Sequence, residues 1–177
     1  MFVKIMIAVA IIVAGILITA GLQSPDYLIT RTISINATPE TIFPHLNSAQ
    51  KSYDWMPWKA MDSQIQMNFS GPEEGPGSKA SWSSPGEMGT GNSVVTESNF
   101  NKNVKVDIEY EKPVQMTQKS EFSMQPSANG TLVAWSVTGT NSFIGRVVCL
   151  FMNMDKMVGE NFEKGLANLK TKIEAAK

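Results

Sequence analysis

The side chains that could do chemistry in this chain are few. His45 is the single histidine, and it stands beside Pro44 in a stretch expected to form a short helix. Histidine acid–base catalysis would rest on that one residue, whose setting reads as exposed or packed. Cys149 is the single cysteine and sits among Val147, Val148, Leu150 and Phe151, a context for a small apolar side chain rather than a thiolate nucleophile. The two lie roughly a hundred residues apart, so no metal-ligand cluster forms from sequence spacing and no metal is expected. Glu97 is the carboxylate of most interest. It follows Val94-Val95-Thr96, and an inward setting in a strand would desolvate it, raise its pKa and make it an acid or a polar anchor. Strand parity is ambiguous there, and the plainer reading, a solvent-facing glutamate near a strand end, is preferred. Asp155, in the closing helix, is a similar candidate because its neighbours Met154 and Met157 could face a cavity, but Asp155-Lys156 reads as solvent-facing. The Gly-rich stretches carry neither a phosphate-loop lysine nor a dinucleotide fingerprint and read as hairpin turns, so no cofactor is expected.

The aromatic and thioether set says more. Trp55, Trp58, Trp82, Trp135, Tyr110, Phe122, Met124, Met154 and Phe162 fall at positions expected to face inward or close a mouth. Such residues suit an adaptable apolar pocket, and for each the alternative is that it fills the core. Trp55 and Trp58 stand on a loop with Pro57, where they would line an entrance or touch a lipid headgroup region.

These side chains need a scaffold, and hydrophobic periodicity supplies one. Tyr27 to Ile35 is β-branched and nearly alternating, which predicts a first strand. Thr38-Pro39-Glu40 opens a helix, with Thr38 as cap and Ile42, Phe43 and Leu46 as its buried face. Ser48 to Asp62, broken by Pro57, predicts a second short helix and a loop. From Gln64 to Gly139 alternating segments separated by Gly, Pro and Asn turns predict an antiparallel meander of about five strands. The clearest is Val104, Val106, Ile108 and Tyr110 against Lys105, Asp107, Glu109 and Glu111. Phe143 to Ala176 returns to helical spacing and predicts one long amphipathic helix. Gly159 and Gly165 inside it imply close backbone approach or a bend.

Ahead of this domain, Phe2 to Leu22 is apolar except for Lys4. At about 1.5 Å per residue, roughly 20 apolar residues cross a hydrocarbon core of about 30 Å. The run therefore reads as a transmembrane anchor over residues 1–22. An uncleaved or cleaved signal is the competing reading, with Thr19-Ala20-Gly21 as a tolerable cleavage motif. Residues 23–26 are a polar linker and 27–177 one domain. Lys4 and the amino terminus favour a cytoplasmic start and an extracytoplasmic domain. The formal net charge of −1 and pI near 5.9 leave phosphate-backbone binding without electrostatic support, so nucleic acid is excluded as a partner.

A strand, short helices, a curled antiparallel sheet and a long closing helix make an α+β helix-grip arrangement. In that order the chain resembles the START-like, or SRPBCC, superfamily, and within it bacterial polyketide cyclase/dehydrase-like proteins. The resemblance spans Tyr27 to about Lys172. It is carried by Ile33-Ser34-Ile35-Asn36-Ala37-Thr38-Pro39-Glu40-Thr41-Ile42-Phe43, by Trp55-Met56-Pro57-Trp58, and by Phe151 through Lys170. A preceding membrane segment is similar to the arrangement in many members. The resemblance implies an apolar cavity between the curved sheet and the C-terminal helix, holding a hydrophobic small molecule or lipid. Fold alone does not select a chemistry. Three expectations follow: a membrane-anchored binding domain without catalysis of its own, a polyketide aromatase/cyclase-type enzyme acting on an apolar chain with Glu97 assisting proton transfer, or a protein-interaction module resembling heat-shock ATPase activators.

Overall fold

The computed structural model describes residues 2–86 and 88–176; the outer ends of segments 1–22 and 27–177, Met1 and Lys177, lie outside them. Helix α1 (Phe2–Leu22) comes first. Nearly every side chain on it is exposed, with Ala20 its buried residue, so its apolar surface has little protein to cover it. Its one polar side chain near the C-terminal end, Thr19, donates its hydroxyl back to the Gly15 carbonyl at 2.8 Å, as a hydroxyl does in an apolar surrounding.

Strand β1 (Asp26–Ile35) follows, then three short helices, α2 (Pro39–Leu46), α3 (Ala49–Tyr53) and α4 (Trp58–Met61). Pro39 starts α2 as expected, and Ile42, Phe43 and Leu46 are its buried face. Thr38 does not cap it through its side chain; its hydroxyl lies 3.4 Å from that of Thr41 instead. The meander is β2 (Gln66–Ser70), β3 (Lys79–Ser83), β4 (Thr90–Asn99), β5 (Asn103–Lys112), β6 (Met116–Ser127) and β7 (Gly130–Thr140), six strands where about five are predicted. All seven strands form one antiparallel sheet in the order β1-β7-β6-β5-β4-β3-β2. Strands β1 and β2 are therefore its opposite edges, and α2 to α4 carry the chain from one to the other.

The C-terminal region is two helices, not one: α5 (Phe143–Cys149) and α6 (Met154–Glu174). Asn153 makes the break, because its side chain accepts the Lys156 N–H at 2.9 Å and begins a new helix. Phe151, expected on the buried stripe, falls in the intervening turn and is exposed. On α6 the stripe Phe162, Leu166, Leu169 and Ile173 is buried. Both glycines mark close approach. A side chain at Gly165 would meet Trp135, Pro57 and Trp55, and one at Gly159 would meet the Arg31 guanidinium. Arg31 in turn pairs with Asp155 at 2.9 Å and Glu163 at 2.8 Å, tying β1 to the first turns of α6.

Candidate functional site: an apolar cavity beneath the short helices

Helix α6 covers one half of the concave face, against β1 and the middle of β7, and it packs tightly at Gly165, where an added side chain would meet Trp135. The other half is covered by α3 and α4, which are too short to fill it. Between them and β2 to β5 lies a cavity of about 110 Å³ open to the centres of water-sized molecules. Its walls are Leu46, Tyr53, Met56 and Trp58 from the helical side, and Met67, Ala80, Trp82, Val95, Val106, Ile108 and Tyr110 from the sheet. No residue of α6 lines this space; between the sheet and the C-terminal helix, where the sequence places the ligand, lies a separate and more open groove bordered by Ile29, Val137, Met154 and Val158.

An aromatic partition divides the two halves. The Trp135 ring stacks on Phe162 with centroids 3.9 Å apart and planes 6° from parallel. Trp55 packs edge-on against Trp135 at 5.5 Å and Phe122 at 5.8 Å, and Trp58 reaches Trp135 at 6.3 Å. The Trp135 Nε1–H donates to Ser120 Oγ at 2.9 Å, and Ser120 donates onward to the Ser136 carbonyl at 3.2 Å. The Trp55 Nε1–H donates to the His45 carbonyl at 3.0 Å. Both indoles are thus locked at their polar ends, so the partition is stiff.

The nine aromatic and methionine residues divide along this partition. Trp58, Trp82, Tyr110, Phe122 and Trp135 line the cavity. Trp55, Met124 and Phe162 are buried core and do not touch it. Met154 is remote, because the Asn153 break sets it at the start of α6, beside a separate groove shared with Cys149, Phe151 and Val158. Tyr53, Met56, Met67 and Ser93, absent from the predicted set, also form the wall. For Met67, alternation with Ile65 and Phe69 carried the signal; for Tyr53 and Met56 nothing local did.

Glu97 faces out. Ser93 and Val95 point into the cavity, and strict alternation would send Glu97 after them. A β-bulge between Val95 and Glu97 adds one residue to β4, so Val95 opposes Val106 while Glu97 opposes Lys105. The Lys105 ammonium lies 2.8 Å from the Glu97 carboxylate and holds its pKa below the usual carboxylate range, opposite to the shift an inward setting would give. Ser98 takes the inward direction and donates to Asn47 Oδ1 at 2.6 Å. Asp155 is exposed but is engaged by Arg31, which lowers its pKa.

His45 is half-buried outside the cavity, with Nδ1 buried and unpartnered among the described residues. Burial pushes its pKa down, and Lys172 and Lys51 add to the effect. Cys149 is half-buried at the end of α5, with the Asn141 amide 3.8 Å from Sγ.

Inside the cavity the polar inventory is short. Among the described residues no Asp, Glu, His, Lys or Arg lines it. Ser52 is committed to the His45 carbonyl, and Ser78 to the Ala49 N–H and the Glu73 carbonyl. The hydroxyls of Tyr53, Ser93 and Tyr110 are reached by no hydrogen bond among the described residues. The more deeply buried phenol is that of Tyr110, whose ring packs edge-on to Trp82 at 5.4 Å. Burial, with a smaller contribution from Tyr27, pushes its pKa up to about 12, so it remains a neutral donor across ordinary pH.

A one-sided curled antiparallel sheet gripping a terminal helix defines the START-like, or SRPBCC, class of α+β proteins. Residues 28–174 match the family described as polyketide cyclase / dehydrase and lipid transport, and the chain belongs to that family. Among solved structures, protein MLL2253 from Mesorhizobium loti is similar with a TM-score of 0.62 at 12% identity, over 85% of this chain and 99% of that one. The di-domain ARO/CYC StfQ of the steffimycin biosynthetic pathway gives a TM-score of 0.62 at 12% identity, over 85% of this chain and 51% of the other. The Aha1 dimer from Colwellia psychrerythraea gives 0.57 at 24% identity, over 85% and 98%. At these identities the likeness is one of fold. Comparison with curated protein sequences gave no match.

Proposed function

We propose that this chain is a membrane-anchored binding protein for a small, largely apolar molecule that carries a hydrogen-bond acceptor. Residues 1–22 anchor it, 23–26 link, and the domain beyond holds the ligand, on the extracytoplasmic side if Lys4 stays inside. One observation carries the reading: an uncharged, aromatic-walled hollow in which the more deeply buried of two uncommitted phenols, that of Tyr110, is held protonated. A space of that size takes roughly ten waters. It suits one ring system or a short stretch of acyl chain, such as part of a quinone or fatty acid. Anchoring would keep the hollow at high local concentration of membrane-borne ligand. A cyclase working in the same space would have hydroxyl groups alone for its acid–base steps, because Glu97 lies outside it.

The test uses the delipidated full chain in mild detergent, with native mass spectrometry for retained molecules and displacement of a fluorescent fatty acid by quinones, fatty acids and phospholipids. Tyr110→Phe should weaken carbonyl-bearing ligands about three- to tenfold, the worth of one hydrogen bond, and leave hydrocarbon ligands unchanged. If nothing is retained and no ligand class displaces the probe, the proposal fails.

A further inference from the structure

Helix α5 packs against α1 at the end where α1 leaves its apolar run. Ala20 is fully buried and Ile16 half-buried there, and the Arg146 Nη1 donates to the Gly21 and Gln23 carbonyls at 3.2 and 3.1 Å. Those carbonyls belong to the last turn of α1 and the linker, groups that no longer have an intrahelical partner. Helix α5 is therefore fixed, by packing and by hydrogen bonds, at the level of residues 16 to 23.

The outer face of α5 is apolar and uncovered. Ile144 and Phe151 are 74% and 71% exposed, and Val148 and Met152 between them are also exposed. Ile144 and Val148 follow one face of α5, and Phe151 and Met152 continue the patch in the turn after it. Leu28 and Met116, exposed on the neighbouring strand ends, share a groove with Phe151 and Met152. The sole charge on α5 is Arg146, which its own helix folds over the Phe143 ring at 5.4 Å. A contiguous apolar patch that no part of the domain covers marks an interaction surface. Its location names the partner, because any bilayer that α1 crosses must bring its headgroup boundary to the last turns of α1, where α5 sits.

We infer that α5 and the turn to α6 lie in the membrane interface, so that the domain is seated on the lipid surface by a second contact rather than swinging on the linker. The inference rests on the reading of α1 as an anchor. An amphipathic segment of this type sinks roughly 5–10 Å, to the headgroup–acyl boundary, with its cationic side chain toward the phosphates. Seating fixes which end of the sheet faces the lipid: the end where β1 starts, β7 finishes and β5 turns into β6.

The experiment places an environment-sensitive fluorophore on the full chain reconstituted in phosphatidylcholine/phosphatidylglycerol vesicles. Single labels sit at Ile144→Cys, Phe151→Cys, Ile11→Cys or Thr171→Cys in a Cys149→Ser background, with nitroxide lipids and aqueous iodide as quenchers. Ile144 and Phe151 should be quenched more by a nitroxide high on the acyl chain than by one near its end, and be shielded from iodide. Ile11 should prefer the deep nitroxide, and Thr171 should respond to iodide alone. If Ile11 is quenched by lipid while Ile144 and Phe151 respond only to iodide, seating is refuted and the anchor stands. If Ile144 and Phe151 are shielded from both quenchers, a protein or a second copy covers the patch, and seating is again refuted. Lipid quenching at Ile144 without any at Ile11 upholds seating and removes the anchor. Photoactivatable phospholipid cross-linked to the unsubstituted chain provides the second measurement: adducts within residues 143–152 support the inference, and their absence overturns it.

Discussion

Ala80→Val tests whether the hollow under α3 and α4 is open. Ala80 is buried near the start of β3 with its methyl group at the cavity wall. Valine adds two methyl groups there, and its branched side chain suits a strand. At about 0.8 kcal/mol per buried carbon, the gain is about 1.6 kcal/mol if the space accepts them. The entropy lost by one stiff side chain is small beside this. With a urea slope of about 2 kcal/mol per molar for a domain of this size, the unfolding midpoint of the ligand-free chain in detergent rises by about 0.8 M. The slope itself should not change, and affinity for the displacing ligand should fall. In a close-packed site the same two methyl groups would be destabilising by about 1–3 kcal/mol. A lowered midpoint would therefore refute the open cavity and with it the ligand-binding proposal.

The two glycines of α6 should behave differently. Gly165→Ala places a methyl group 2.9 Å from Trp135 Cζ3, 3.3 Å from Pro57 Cδ and 3.4 Å from Trp55 Cζ3, in a partition that cannot yield. A penalty of about 1–3 kcal/mol for overpacking then outweighs the gain of about 1 kcal/mol in helix propensity, and thermal unfolding falls. Gly159→Ala pushes the Arg31 guanidinium out of its pairs with Asp155 and Glu163, which are weak because both carboxylates are exposed. The gain of about 1 kcal/mol in helix propensity offsets part of that loss. Its melting temperature should therefore fall less than that of Gly165→Ala, and an equal or larger fall would contradict this assignment. His45 gives a pH signature. Its pKa is lowered on folding from the ordinary 6.5, so the unfolded chain binds more protons in the window between the two values. Its contribution to stability is complete above about 6.5 and is lost as pH falls through the lower, folded pKa. Chemical denaturation across mildly acidic pH should show that slope, and His45→Gln should flatten it.

Much of the architecture was written locally. Val104, Val106, Ile108 and Tyr110 alternate against charged neighbours, and a strand with one wet face has one register that buries them all. Phe162, Leu166, Leu169 and Ile173 recur at helical spacing, so α6 had one face to bury. Gly159 and Gly165 broke that helix's propensity and so announced contact before the partners were known. The break at Asn153 was harder to read, since Phe151 and Met154 continue the apolar spacing across it, and a single amide cap outweighed their periodicity.

The sequence by itself determined the class of fold, the apolar leader and the poverty of catalytic groups, because propensity, period and composition are properties of short stretches. Only the tertiary structure decided where the free space lies. Whether Trp135 stacks on Phe162 or faces a ligand depends on which half of the sheet α6 occupies. Whether Glu97 points in or out depends on one extra residue in β4, which reverses every side chain beyond it. Packing and register are relations between distant segments, and no window of the chain contains them.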